Sequence, residues 1–67
     1  MTLRVGIAGY GIVGKTRHRA LDKNDAFNVV AVSDISFTNN PINLESVNTY
    51  SDYKDLINKE ELDVLFV

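Results

Sequence analysis

Apolar residues in this chain gather in four short runs, and the stretches between them differ in character. Leu3 to Ala8 is the first run and ends at Gly9, the pattern of a strand buried on both faces. Gly9 to Gly14 is a glycine-rich turn. From Ile12 to Lys23 the apolar and small positions Ile12, Val13, Thr16, Ala20 and Leu21 fall near helical spacing. Lys15, Arg17, His18, Arg19 and Lys23 supply its polar surface, and Asn24-Asp25 breaks it. Phe27 to Val32 is the second run, closed by Ser33-Asp34. Ser36 to Asn43 is rich in Ser, Thr and Asn and predicts a loop, with at most one helical turn at Pro41 to Glu45.

Val47 to Tyr50 predicts a brief third strand. Ser51 or Asp52 offers a side-chain oxygen to cap a short helix from Tyr53 to about Asn58, which buries Leu56 and Ile57. Val64 to Val67 is the fourth strand. The order strand, helix, strand, loop, strand, helix, strand predicts an α/β fold with a parallel sheet and crossover helices. Right-handed crossovers give the spatial order 3-2-1-4, a partial doubly wound sheet. The sequence stops within the apolar run Leu62 to Val67 without a turn signal, so residues 1–67 read as a truncated Rossmann domain.

Composition narrows the chemistry. At 67 residues the chain is below the size of an ordinary domain, and a domain of about 60 residues buries only about 60% of its unfolded surface. It has no cysteine and one histidine, His18, which excludes a disulfide framework and a Cys/His zinc site; no metal ligand set is assigned. Net charge of −2 gives no electrostatic reason to expect nucleic acid. No apolar run approaches the roughly 18 residues of a membrane span, and the N-terminus lacks signal-peptide features, so a cytoplasmic protein is expected.

The segment from Gly9 to Thr16, Gly-Tyr-Gly-Ile-Val-Gly-Lys-Thr, matches two phosphate-binding motifs at once. Gly9, Gly11 and Gly14 form the dinucleotide fingerprint Gly-x-Gly-x-x-Gly, while Gly9, Gly14, Lys15 and Thr16 form the Walker A pattern. Both place phosphates at a helix N-terminus, where unpaired N–H groups and the macrodipole favour anions. The dinucleotide motif also needs an acid at the end of the second strand, about 20 residues on, for the ribose hydroxyls. Asp34 stands 20 positions after Gly14 and ends the Val-Val-Ala-Val run. In the Walker reading Lys15 reaches the β/γ-phosphates and Thr16 holds Mg²⁺. Asp34 then sits in an Asp-Ile-Ser context with no further acid, so the spacing favours the dinucleotide.

With these motifs in place, Arg4 to Gly14, followed by His18 and Ala20-Leu21, resembles the start of the glucose–fructose oxidoreductase, inositol dehydrogenase and rhizopine catabolism family (Gfo/Idh/MocA). Val29 to Asp34 resembles its second strand, Tyr50 to Ile57 its segment y-t-D-y-e-e-L-l, and Leu62 to Val67 its strand v-D-a-V-x-I. Ser36 to Ser46 departs from the family, which carries a longer, more regular helix there. The resemblance implies an NAD(P)-dependent oxidoreductase acting on sugars, cyclitols or their nucleotide conjugates. Its catalytic lysine lies in a Glu-Lys-Pro motif past the fourth strand, so no catalytic residue is assigned within 1–67, and this chain alone is expected to be inactive.

The cofactor-binding residues expected are therefore Gly9, Tyr10, Gly11, Ile12, Val13, Gly14, Asp34 and Ile35, with NAD favoured over NADP. Plainer roles stand beside these. Asp34 also suits a strand-end cap; Tyr10 either covers the turn or shapes the nicotinamide side; Lys15, Arg17, His18 and Arg19 suit a solvated helix face. Tyr50 and Tyr53 suit packing, and Glu60-Glu61 a solvated turn. The function expected is hydride transfer between a nicotinamide and a sugar-like alcohol or ketone, with no nucleic-acid or membrane partner and compatible with a homo-oligomer. The alternatives are a P-loop hydrolase, an S-adenosylmethionine-dependent methyltransferase and a non-catalytic NAD-sensing module.

Overall fold

A computed structural model describes residues 2–67. Four strands, β1 (Leu3–Ala8), β2 (Phe27–Ser33), β3 (Asn48–Tyr50) and β4 (Val64–Phe66), form one parallel sheet in the order β3-β2-β1-β4. Helices α1 (Ile12–Asp22) and α2 (Tyr53–Lys59) provide two of the crossovers. This is the order that the sequence predicts. Among the described residues no helix is long and apolar enough to cross a membrane.

Both sheet faces are covered, which is why the strands read as continuous apolar runs rather than alternating ones. Val5, Ile7, Val29 and Val32 form the core on the α1 side, joined by Leu21, Phe37 and Phe66. Val30, Ala31 and Leu56 form the core on the α2 side with Tyr50, Leu62 and Leu65. The β1–β2 register shifts between Val5 and Gly6: Val5 pairs with Val29, but Gly6 pairs with Ala31. The extra residue lets Val30 and Ala31 both join the α2 side, an irregularity that a strict period of two does not anticipate.

Three local expectations are overturned. Of the apolar and small positions proposed for α1 only Leu21 turns inward: Ile12 and Val13 are 86% and 70% exposed, and Thr16 and Ala20 are exposed too. The inward positions are Gly14, Arg17, His18 and Leu21, spaced as one helix face. Close approach at Gly14 sets this rotation, and the Arg17 guanidinium lies 4.9 Å from the centre of the Phe66 ring. Arg17 and His18 are thus half-buried packing residues, not a solvated face. The helical turn in the loop falls at Ile35–Thr38 as a 3₁₀ turn, not at Pro41 to Glu45, because the Asp34 side chain caps it. In the later segment Leu44 bridges Val47 around Ser46, whose φ is 62°. Finally, Asp52 caps α2 and Leu56 is fully buried, but Ile57 is 45% exposed. Adjacent helical residues lie about 100° apart, so one short helix cannot turn both inward.

Glu60 is no solvated turn either. Its side chain is 7% exposed and accepts hydrogen bonds from the Tyr50 hydroxyl at 2.5 Å and the Asn48 amide at 2.8 Å. The Arg4 guanidinium stands 3.8 Å away. Arg4 also donates through Nε to the Glu61 carbonyl, and its main chain exchanges hydrogen bonds with Asp63. These contacts tie the approach to β4 onto β1 and β3.

The Tyr50 phenol is pushed up to about 12 from 10.0, first by its hydrogen bond to Glu60, then by burial. A raised folded value means that the contact stabilises the fold fully below pH 10 and loses that contribution as pH rises through about 12. Ultraviolet difference titration of the folded protein should show a tyrosinate step near pH 12 that Tyr50→Phe removes.

Candidate functional site

The site is built where the C-terminal ends of β1 and β2 meet the N-terminus of α1. The chain leaves β1 through Gly9, whose N–H donates to the Ser33 carbonyl at 2.8 Å and whose φ is 98°. A side chain in that left-handed conformation is strained, so glycine is required for the turn. Gly11 caps α1, and the first helical hydrogen bond runs from the Lys15 N–H to the Gly11 carbonyl at 2.9 Å. No side chain caps this end and no acidic residue occupies the first turn. The N–H groups of the first turn, including those of Ile12 and Val13, have no partner within the helix. A Cβ built on Gly11 would meet nothing within 4 Å among the described residues, so the space before this turn is open. Gly14 is the opposite case: its Cβ would fall 2.2 Å from the Gly9 carbonyl oxygen.

Asp34 closes the other side of the turn. Its Oδ2 accepts from the Tyr10 N–H at 2.7 Å and its Oδ1 from the Ser36 N–H at 2.9 Å. Its carboxyl is held below the usual 3.8 chiefly by the hydrogen bonds from Ser36, backbone first, and also by the Tyr10 N–H and the positive charge of Lys15. The strand-end cap is therefore real, and the carboxylate keeps acceptor capacity for a further donor. Ile35 follows at 85% exposure. A cleft of about 480 Å³ opens beside Gly9, Asp34 and Ile35 and has an apolar wall that includes Tyr53, Ile57 and Leu65.

The structure thus gathers Gly9, Gly11, Gly14, Asp34 and Ile35 around one turn, with Ile12 and Val13 exposed on the first turn of α1. The Tyr10 side chain turns into the fold, so it offers the site mainly its backbone. Tyr53 and Ile57, read from sequence as packing residues, line the cleft instead. The helical spacing of Leu56 and Ile57 carried a signal, since only one of them can face the sheet.

Lys15 and Thr16 lie inside α1, and the Thr16 hydroxyl donates to the Ile12 carbonyl at 2.9 Å. In a Walker A loop these residues stand at the mouth with the phosphates, so the geometry disfavours that motif.

A parallel sheet ordered 3-2-1-4 with a glycine turn and an acid on adjacent strands defines a Rossmann-type nucleotide-binding protein. Residues 3–67 match the model of the oxidoreductase family with an NAD-binding Rossmann fold, Gfo/Idh/MocA. The chain belongs to that family. A comparison with curated proteins finds no match.

Two substitutions test the frame of the site. Gly14→Ala should destabilise the protein by more than about 3 kcal/mol, because the obstructing atom is backbone and α1 must lift from the sheet. Asp34→Ala should cost about 0.5–2 kcal/mol by removing the cap of the 3₁₀ turn and the acceptor of the Tyr10 N–H. The Asp34 contribution is present above pH 3.8 and is lost as pH falls through its lowered value. Denaturant unfolding at pH 7 and pH 3 measures both effects.

Proposed function

We propose that this chain holds NAD for a hydride transfer between the nicotinamide and a sugar- or cyclitol-like alcohol or ketone. The observation that carries the reading is the uncapped, acid-free N-terminus of α1 standing beside the Asp34 carboxylate at the strand ends. The first suits a pyrophosphate, and the second suits vicinal ribose hydroxyls.

In this reading the main chain from Gly11 to Val13 donates to the pyrophosphate, and the open space before Gly11 admits its oxygens. Gly9 provides the turn, and Gly14 keeps the helix close enough to present those N–H groups. Asp34 accepts from the adenosine ribose, while Ile35 and the apolar wall of the cleft suit the adenine. The bound nicotinamide supplies the hydride chemistry itself. The oxidoreductase class follows from the family; the sugar- or cyclitol-like substrate is what the sequence resemblance implies.

The Asp34 charge repels a 2′-phosphate, and no arginine occurs in Ile35 to Thr38 to hold one. NADH should bind at least about tenfold more tightly than NADPH, a difference of about 1.4 kcal/mol. Equal or tighter NADPH binding in a fluorescence titration would remove this role from Asp34. In the same assay Gly11→Val should abolish NADH binding by filling the open space, whereas Thr16→Ala should leave it nearly unchanged. The reverse ranking, with a requirement for Mg²⁺, would restore the Walker A reading.

A further inference from the structure

We infer that Tyr10 and His18 are positioning residues for the Asp34 carboxylate. This rests on the dinucleotide reading above.

Tyr10 lies between Gly9 and Gly11, the most pliable backbone in the site. Its N–H nevertheless has to meet Asp34 Oδ2 at 2.7 Å. The side chain provides the anchor. Its hydroxyl lies 2.7 Å from His18 Nδ1, and its ring meets Phe37 edge-on at 6.2 Å between centroids. Phe37 belongs to the 3₁₀ turn that Asp34 caps through the Ser36 N–H. The contacts therefore close a circuit from Asp34 through the Tyr10 backbone and ring to Phe37 and back to Asp34.

His18 anchors that circuit from outside, through the Tyr10 hydroxyl. Its side chain is 12% exposed, and Asp22 Oδ2 lies 3.4 Å from Nε2, one helical turn further on. Neutral imidazole carries one N–H and one lone pair. The carboxylate beside Nε2 favours the proton there, which leaves Nδ1 to accept from the Tyr10 hydroxyl. The histidine thus acts on the site through the tyrosine and has no contact with a reacting atom. What it sets is the aim of Asp34, and hence the preference for a ribose with a free 2′-hydroxyl over one carrying a phosphate.

Tyr10→Phe, His18→Leu and His18→Asn, titrated with NADH and NADPH beside Asp34→Ala, test this in the full chain. Tyr10→Phe and His18→Leu should weaken NADH about three- to tenfold, the loss of roughly one hydrogen bond, and should narrow the NADH-to-NADPH ratio. The two changes combined should do little more than either alone. His18→Asn puts an amide atom near the place of Nδ1 and should recover most of the affinity. Nitrogen-15 NMR of the wild type at neutral to alkaline pH should show Nδ1 of His18 without a proton. A lowered melting temperature with an unchanged ratio would reduce the pair to a structural role and overturn the inference, as would a protonated Nδ1. Loss of NADH binding in Asp34→Ala with none in Tyr10→Phe would overturn the positioning role alone. A wild-type chain that binds no NADH would overturn the dinucleotide reading together with it.

Discussion

The close approach of Gly14 to the Gly9 carbonyl is the constraint on which the rest of this structure depends. A Cβ there would lie 2.2 Å from a backbone oxygen, so only glycine lets α1 settle at this distance from the end of β1. That contact fixes the rotation of the helix as well as its height. It sends Arg17, His18 and Leu21 inward and leaves Ile12 and Val13 exposed, although hydrophobicity alone would choose otherwise. The unpaired N–H groups of the first turn, which run along the helix axis, open on the unfilled space before Gly11. The packing of α1 and the distance of its open end from β1 are thus set by one residue.

Asp34 serves the structure twice over, and in the proposed reading it serves recognition as well. As a cap it accepts from Ser36 and starts the 3₁₀ turn, and as a brace it accepts from Tyr10 and holds the glycine turn against β2. The hydrogen bonds from Ser36, with that from the Tyr10 N–H, fix the carboxylate plane and hold its pKa below the usual value. A ribose diol meeting such a group finds an acceptor already oriented, so less conformational freedom is lost on binding. The strand-end cap and the ribose acceptor are therefore not rival descriptions of Asp34.

Most of the architecture was legible because it rests on strong local signals. Gly9 closing an apolar run, Asp34 closing the next, and Asp52 ahead of Leu56 fixed the strand and helix positions, and crossover handedness fixed the sheet order. The misreadings share a cause, which is that tertiary contacts overrode composition. Arg17 reads as a surface residue until Phe66 comes under its guanidinium, and Glu60 reads as solvated until Tyr50 and Asn48, ten and twelve positions away, reach it. The extra residue at Val30 breaks a period that a buried β2 does not need to keep. In the site, the glycines and Asp34 were visible from their spacing. Tyr53 and Ile57 on the cleft wall were not, since only the fold decides which side of α2 faces the sheet.

The buried apolar core among the described residues is small: Val5, Ile7, Val29, Val30, Ala31, Val32 and Leu56. A chain of this size has little apolar area to set against the entropy of ordering its backbone. Polar pins at the two ends of the sheet therefore carry unusual weight. Arg4, Asp63 and Glu60 hold the end where β1 begins, and Asp34, Tyr10 and His18 hold the end where it leaves. The first set is complete within the fold. The second surrounds the uncapped turn and keeps unused acceptor capacity at Asp34, so its last partners must come from outside. A ligand that meets those groups stabilises the folded state by mass action, about 2.7 kcal/mol at one hundred times its dissociation constant. In a core this small that is a substantial share of the whole, so in the proposed reading cofactor binding and folding draw on the same few hydrogen bonds.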